Sequence, residues 1–138
     1  MSVCSLPGLA ILKLIAWDEK YPERNNDAKD IFLIMEGYDL AGNTDRLFDE
    51  ESDLLREEEH DHKLAGIRLL GRDMATIADE RTFRTIHEIL QSEDNQGKLA
   101  LQMISFPDFE GRYFSDAIRK IHKLLQGLEA GSTKTSSH

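Results

Sequence analysis

The sequence predicts an all-α fold, a compact bundle of six to seven helices. Three observations carry that expectation. Apolar residues recur at three- and four-residue spacing nearly throughout. No stretch alternates as a half-buried strand does, and no hairpin dipeptide sits between alternating residues. The three prolines fall where helices tolerate them: Pro7 in a first turn, Pro22 and Pro107 in connections.

Ser5 is a good N-cap, and Leu6 to Lys20 reads as helix one. It is apolar on almost every face, so it should be largely buried. Tyr21 to Asn26 is a polar break. A second helix spans Asp27 to Tyr38, with Ala28, Ile31, Phe32, Met35 and Tyr38 at helical period. Asp39 to Asn43, with Gly42, forms a turn, and Asn43 or Thr44 caps a short helix carrying Leu47 and Phe48. A long helix from Glu58 to Ala78 bears the stripe Leu64, Ile67, Leu70, Met74 and Ile77. Asp79 caps the next helix, whose face is Phe83, Ile86 and Leu90. Ser92 to Gly97 reads as a loop, and Lys98 to Ser105 as a short segment apolar on one side. The last helix, Asp108 to Leu128, has the cleanest stripe: Phe109, Tyr113, Phe114, Ala117, Ile118, Ile121, Leu124, Leu125 and Leu128. Residues 1–130 thus form one helical domain, and the small, polar residues 131–138 are expected to be a disordered tail.

The 138 residues are enough for one domain, and 40% apolar content is enough for its core. The net charge of −9 repels phosphate backbones and anionic surfaces, which disfavours direct nucleic-acid or membrane-surface binding. The longest apolar run, Leu6 to Trp17, is too short to span a bilayer and is broken by Lys13. With no signal-peptide pattern, a soluble cytoplasmic protein is expected. The lone Cys4 excludes an internal disulfide and a cysteine zinc site.

Lys13 is the only charge inside helix one. Such a lysine either snorkels to water or aims a point charge at an anion such as phosphate. Asp27 and Asp30 are three apart and share one face of helix two. They either complement the helix dipole or point into a cleft shared with Lys13. The short break makes the two helices antiparallel neighbours, which sets Asp27 near Asp18 and Lys20 and a turn or more from Lys13. The stretch Asp45 to Asp61 holds nine acids against Arg46 and Arg56, which makes it a solvated face or a dock for a basic partner. Arg72, beside Asp73, reads as a surface pair. His60, Asp61, His62, His87 and His122 could suggest a metal-dependent phosphohydrolase. However, His60 and His62 point to different helix faces and sit among solvated glutamates.

The run Leu6-Pro-Gly-Leu-Ala-Ile-Leu-Lys13-Leu-Ile-Ala-Trp17, with Arg24-Asn-Asn-Asp27-Ala-Lys-Asp30-Ile31, resembles the helical part of toxin-like nucleotidyltransferases of the abortive-infection (AbiEii/AbiGii) type. The later stretch from Asp45-Arg-Leu-Phe48 to Leu70-Gly71-Arg72-Asp73 is similar to that group too. The resemblance covers roughly residues 3–90. It implies that Lys13 and Asp27, with Asp30 as partner, contribute to a nucleotide site, and that Arg24 helps bind substrate. The family's Gly-Ser signature and Asp-x-Asp strand, which hold metal, have no counterpart here except a Gly131-Ser132 in the tail. The chain is therefore expected to be the C-terminal helical half of such an enzyme. Alone it would be inert and would bind no cofactor. Nucleoside triphosphate and magnesium would bind the intact enzyme. Its expected partner is the catalytic half or a second copy of itself, the latter through Leu9, Ile11, Leu12, Ile15 and Trp17. The competing expectation is a helical interaction module whose acidic face docks on a basic partner.

Overall fold

The computed structural model describes residues 5–21, 23, 26–104 and 112–136, and for 132–136 the backbone alone. The fold is all-α. Among the described residues there are eight helices and no strand: α1 (Leu6–Lys20), α2 (Asn26–Gly37), α3 (Thr44–Phe48), α4 (Ser52–Glu57), α5 (His62–Ile77), α6 (Glu80–Gln91), α7 (Glu93–Met103) and α8 (Arg112–Ser136). A single 3-10 turn, Tyr38–Leu40, follows α2.

Helix α1 starts where its cap dictates: the Ser5 hydroxyl accepts from the Gly8 N–H, and Pro7 sits in the first turn. Asp79 caps α6 in the same way by accepting from the Thr82 N–H. Eight helices replace the expected six to seven, for two local reasons. The acidic stretch hides α4, which buries only Leu54 and Leu55. Just beyond it the chain turns at Glu59 and His60, both in the left-handed region (φ 55° and 68°), so α5 begins afresh at His62, capped by Asp61. Likewise Ser92 to Gly97 is not a loop. Ser92 accepts from the Asn95 N–H and opens α7, and Gly97 lies inside it. The buried Gln96 ties this turn down by donating to the Leu90 carbonyl at 2.7 Å.

Helix α5 is the centre of the bundle. It packs on α1, α2, α4 and, along much of its length, α8. Glycine makes that last contact possible. A Cβ added at Gly71 would stand 2.4 Å from the Leu124 carbonyl oxygen, and one at Gly127 would stand 2.1 Å from that of Arg68. Gly131 lies against Ala75 and Arg72. Gly127 and Gly131 are four apart, so they line one side of α8 and let the two backbones touch. The expected tail therefore starts inside this contact, and the α8 backbone stays helical to Ser136. The expected helix start at Asp108 lies outside the described residues.

The core joins Leu14, Trp17, Ile31, Met35, Leu47, Leu54, Ile67, Leu70, Met74, Ile86, Leu99, Ile121, Leu124 and Leu128. Helix α1 is less buried than its composition predicts. Ala10, Ile11, Leu14 and Trp17 face inward, whereas Leu12 is 58% exposed. Of the residues expected on a self-association face, Ile11 and Trp17 are enclosed by the chain itself. No helix among the described residues is long and apolar enough to cross a membrane.

Candidate functional site

Helices α1 and α2 pack as neighbours, as the short break between them predicts, and Lys13 meets both carboxylates of the Asp-x-x-Asp pair. Its Nζ lies 2.9 Å from Asp30 Oδ2 and 3.6 Å from Asp27 Oδ1. The turn of separation expected from the sequence is closed by the length of the lysine side chain. The two carboxylates differ in setting. Asp27 is 2% exposed, fixed in the first turn of α2 beside Ala28 and Ile31, whereas the Asp30 side chain is 43% exposed. Lys13 is reachable from solvent, its side chain 27% exposed. The hydrogen bond to Asp30 holds the ammonium above its ordinary pKa, with Asp27 adding to it, so the amine is charged at neutral pH. Arg24, the fourth expected site residue, lies outside the described residues.

Among the described residues the site thus sets the Lys13 ammonium between a fixed, buried carboxylate and a solvated one. It can present a lysine ammonium to an anion at the surface. Among the described residues no group of three or more His, Cys, Asp or Glu side chains could hold a metal ion. His122 Nε2 lies 2.9 Å from Gln96 Oε1, and His87, stacked on Phe83, lies 2.9 Å from Glu129 Oε2.

Two further polar clusters were not foreseen as such. Arg72 does not pair with its neighbour Asp73. It reaches across to Glu51 at 2.7 Å and Asp53 at 2.8 Å. One turn earlier the buried Arg68 meets Glu57 at 2.7 Å and Glu58 at 3.2 Å, and Lys123 of α8 meets Glu58 at 2.8 Å. Four of the nine acids in this stretch are therefore matched by Arg68, Arg72 and Lys123, clamping α4 and its flanks onto α5 and α8. Asp73 instead accepts from the Tyr38 hydroxyl and from both Arg46 terminal nitrogens, at 2.9 and 3.0 Å. Burial first, then the bond to Asp73, raises the Tyr38 phenol above its ordinary pKa. The spacing of Arg68 and Arg72, four apart on the core helix, was the available signal for the first cluster. Nothing in the local sequence signals the second.

A groove of about 380 Å³ opens between α2, α7 and α8. Its walls are Phe32, Leu33, Met103 and Tyr113, with Glu36, Asp116 and Lys120 joined by ion pairs at its edge. None of the expected site residues lines it.

Compared with known proteins, the chain finds no significant match among family models, curated proteins or solved structures.

Proposed function

We propose that this chain is the helical part of a toxin-like nucleotidyltransferase and contributes to nucleotide binding only together with a catalytic half carrying the Gly-Ser and Asp-x-Asp elements. The observation that supports this best is the meeting of Lys13 with Asp27 and Asp30, the three residues that the resemblance singles out. In this reading Lys13 holds a phosphate of the nucleoside triphosphate. Asp27, buried and anchored in the first turn of α2, keeps the amine charged and aimed. Magnesium would neutralise phosphate charge as the leaving group departs. Asp27 and Asp30 are engaged by Lys13, so the metal would be held by carboxylates of the catalytic half.

The outer face of α1, with Leu12 exposed and Leu9 and Ile15 half-buried, is where that half would pack, or a second copy of the chain. The other reading, an acidic module docking on a basic partner, rests on the exposed Asp45, Asp49, Glu50 and Glu59. It has less support, because Glu51, Asp53, Glu57 and Glu58 are already matched by the chain's own cations.

The test is transfer of labelled nucleoside monophosphate by a protein that joins this chain to the segment encoded upstream of it. The reading expects Gly-Ser and Asp-x-Asp elements there, and a loss of about a hundredfold in transfer on Lys13→Ala, the scale of removing one preorganised charge donor. An upstream segment without those elements, or full activity of the variant, would overturn it.

A further inference from the structure

We infer that Asp30 is a replaceable counter-ion: it occupies the place on Lys13 that an incoming phosphate takes, while Asp27 stays bound throughout. The inference rests on the proposed role of Lys13 in holding phosphate and assigns the two carboxylates opposite effects on it.

The asymmetry between the carboxylates carries the argument. Asp30 Oδ2 sits at hydrogen-bonding distance from Nζ, 2.9 Å, yet its side chain is 43% exposed to water. Asp27 Oδ1 is farther away, 3.6 Å, but 2% exposed and wedged beside core residues. An exposed ion pair is weak, because water screens it and two side chains must be held still. Releasing Asp30 therefore costs little, and its carboxylate can be hydrated where it stands. Asp27, set among core residues in the first turn of α2, has no such freedom to turn outward and be hydrated, so its carboxylate stays where it is. An anion approaching Lys13 from solvent consequently displaces Asp30 first. It also meets the Asp30 charge as a repulsive neighbour until that side chain swings away. Asp30 is in this sense a placeholder that lowers anion affinity and discriminates against singly charged anions. A polyphosphate carries enough charge to outcompete one carboxylate, whereas chloride or acetate does not.

The probe is inorganic tripolyphosphate, titrated into the full chain at fixed ionic strength and followed by isothermal titration calorimetry. Asp30→Asn should tighten binding about fivefold, the size of one exposed ion pair. Glu19→Gln, which removes an exposed acid elsewhere on α1, should leave it within error, and Lys13→Ala/Asp30→Asn should abolish the gain. Unchanged or weaker binding by Asp30→Asn would overturn the inference, as would a gain that survives the loss of Lys13 or appears equally with Glu19→Gln. This titration needs no nucleotide and no transfer. A Lys13-dependent gain without transfer by the joined protein would leave the inference standing and the proposed function refuted. Lys13-dependent transfer with no gain in Asp30→Asn would do the reverse.

Discussion

Gly127 of α8 lies so close to Arg68 of α5 that a methyl group between them would overlap the Arg68 carbonyl oxygen. The overlap is with backbone, not with the end of a flexible side chain, so relief requires the helices to part. Gly127→Ala should therefore destabilise by about 3 kcal/mol, the upper range for overpacking. Gly97, inside α7 with open space around its Cα, is the opposite case: Gly97→Ala should stabilise by about 0.5–1 kcal/mol through helix propensity alone. Urea unfolding of both variants checks this. A Gly127→Ala protein as stable as the parent would mean the α5–α8 contact is looser than described.

Acid should unfold the protein through specific carboxylates. The hydrogen bond from Arg72 holds Asp53 below its ordinary 3.8. Burial pushes Glu36 up, but the bonds from Lys120 and Lys63 outweigh it and leave it below 4.5. A carboxylate with a lowered pKa in the folded state stabilises fully above its unfolded pKa, and loses that contribution as pH falls through its folded value. The melting temperature should thus be flat between about pH 7 and 5 and fall below about pH 4. Calorimetric scans across that range measure it, and a melting temperature rising from pH 5 to 3 would have the wrong sign. In Arg72→Met the Asp53 carboxyl resonance should titrate higher than in the parent.

Much of this fold was legible and some was not, for physical reasons. The starts of α1 and α6 follow from Ser5 and Asp79, because a side-chain cap is a local event. Helix α4 was illegible because its acids mask its two buried leucines. Their partners, Arg68 and Arg72, lie ten or more residues away in sequence. The role of Gly71, Gly127 and Gly131 was missed because close helix approach depends on the partner helix, not on the segment's own periodicity. That α1 and α2 pack as neighbours was legible from the short break. The reach of Lys13 to Asp27 and Asp30 was not, because it depends on rotation of both helices about their axes.

The isolated chain should bind nucleoside triphosphate and magnesium weakly or not at all. Lys13 is already engaged by both carboxylates of the Asp-x-x-Asp pair, which offset its charge. Isothermal titration measures this. Micromolar affinity would point to a site complete within this chain.

Leu12 is exposed on α1, so Leu12→Asp should leave stability within about 0.5 kcal/mol of the parent, as at ordinary surface positions. The same change should abolish association with the catalytic half or with a second copy, through the charge it puts in an apolar contact. Analytical ultracentrifugation reads both association states. Unimpaired association would move the contact off this face.

The central claim is that Lys13 and Asp27 act as one unit on a nucleotide phosphate. Its most direct test is a double-mutant cycle on kcat/KM for transfer in the joined protein, using Lys13→Ala, Asp27→Asn and the double variant. Residues that serve one function through each other lose it once, so each single change should be severe and the double no worse than the more severe single. Losses that add, or an Asp27→Asn protein as active as the parent, would contradict the account.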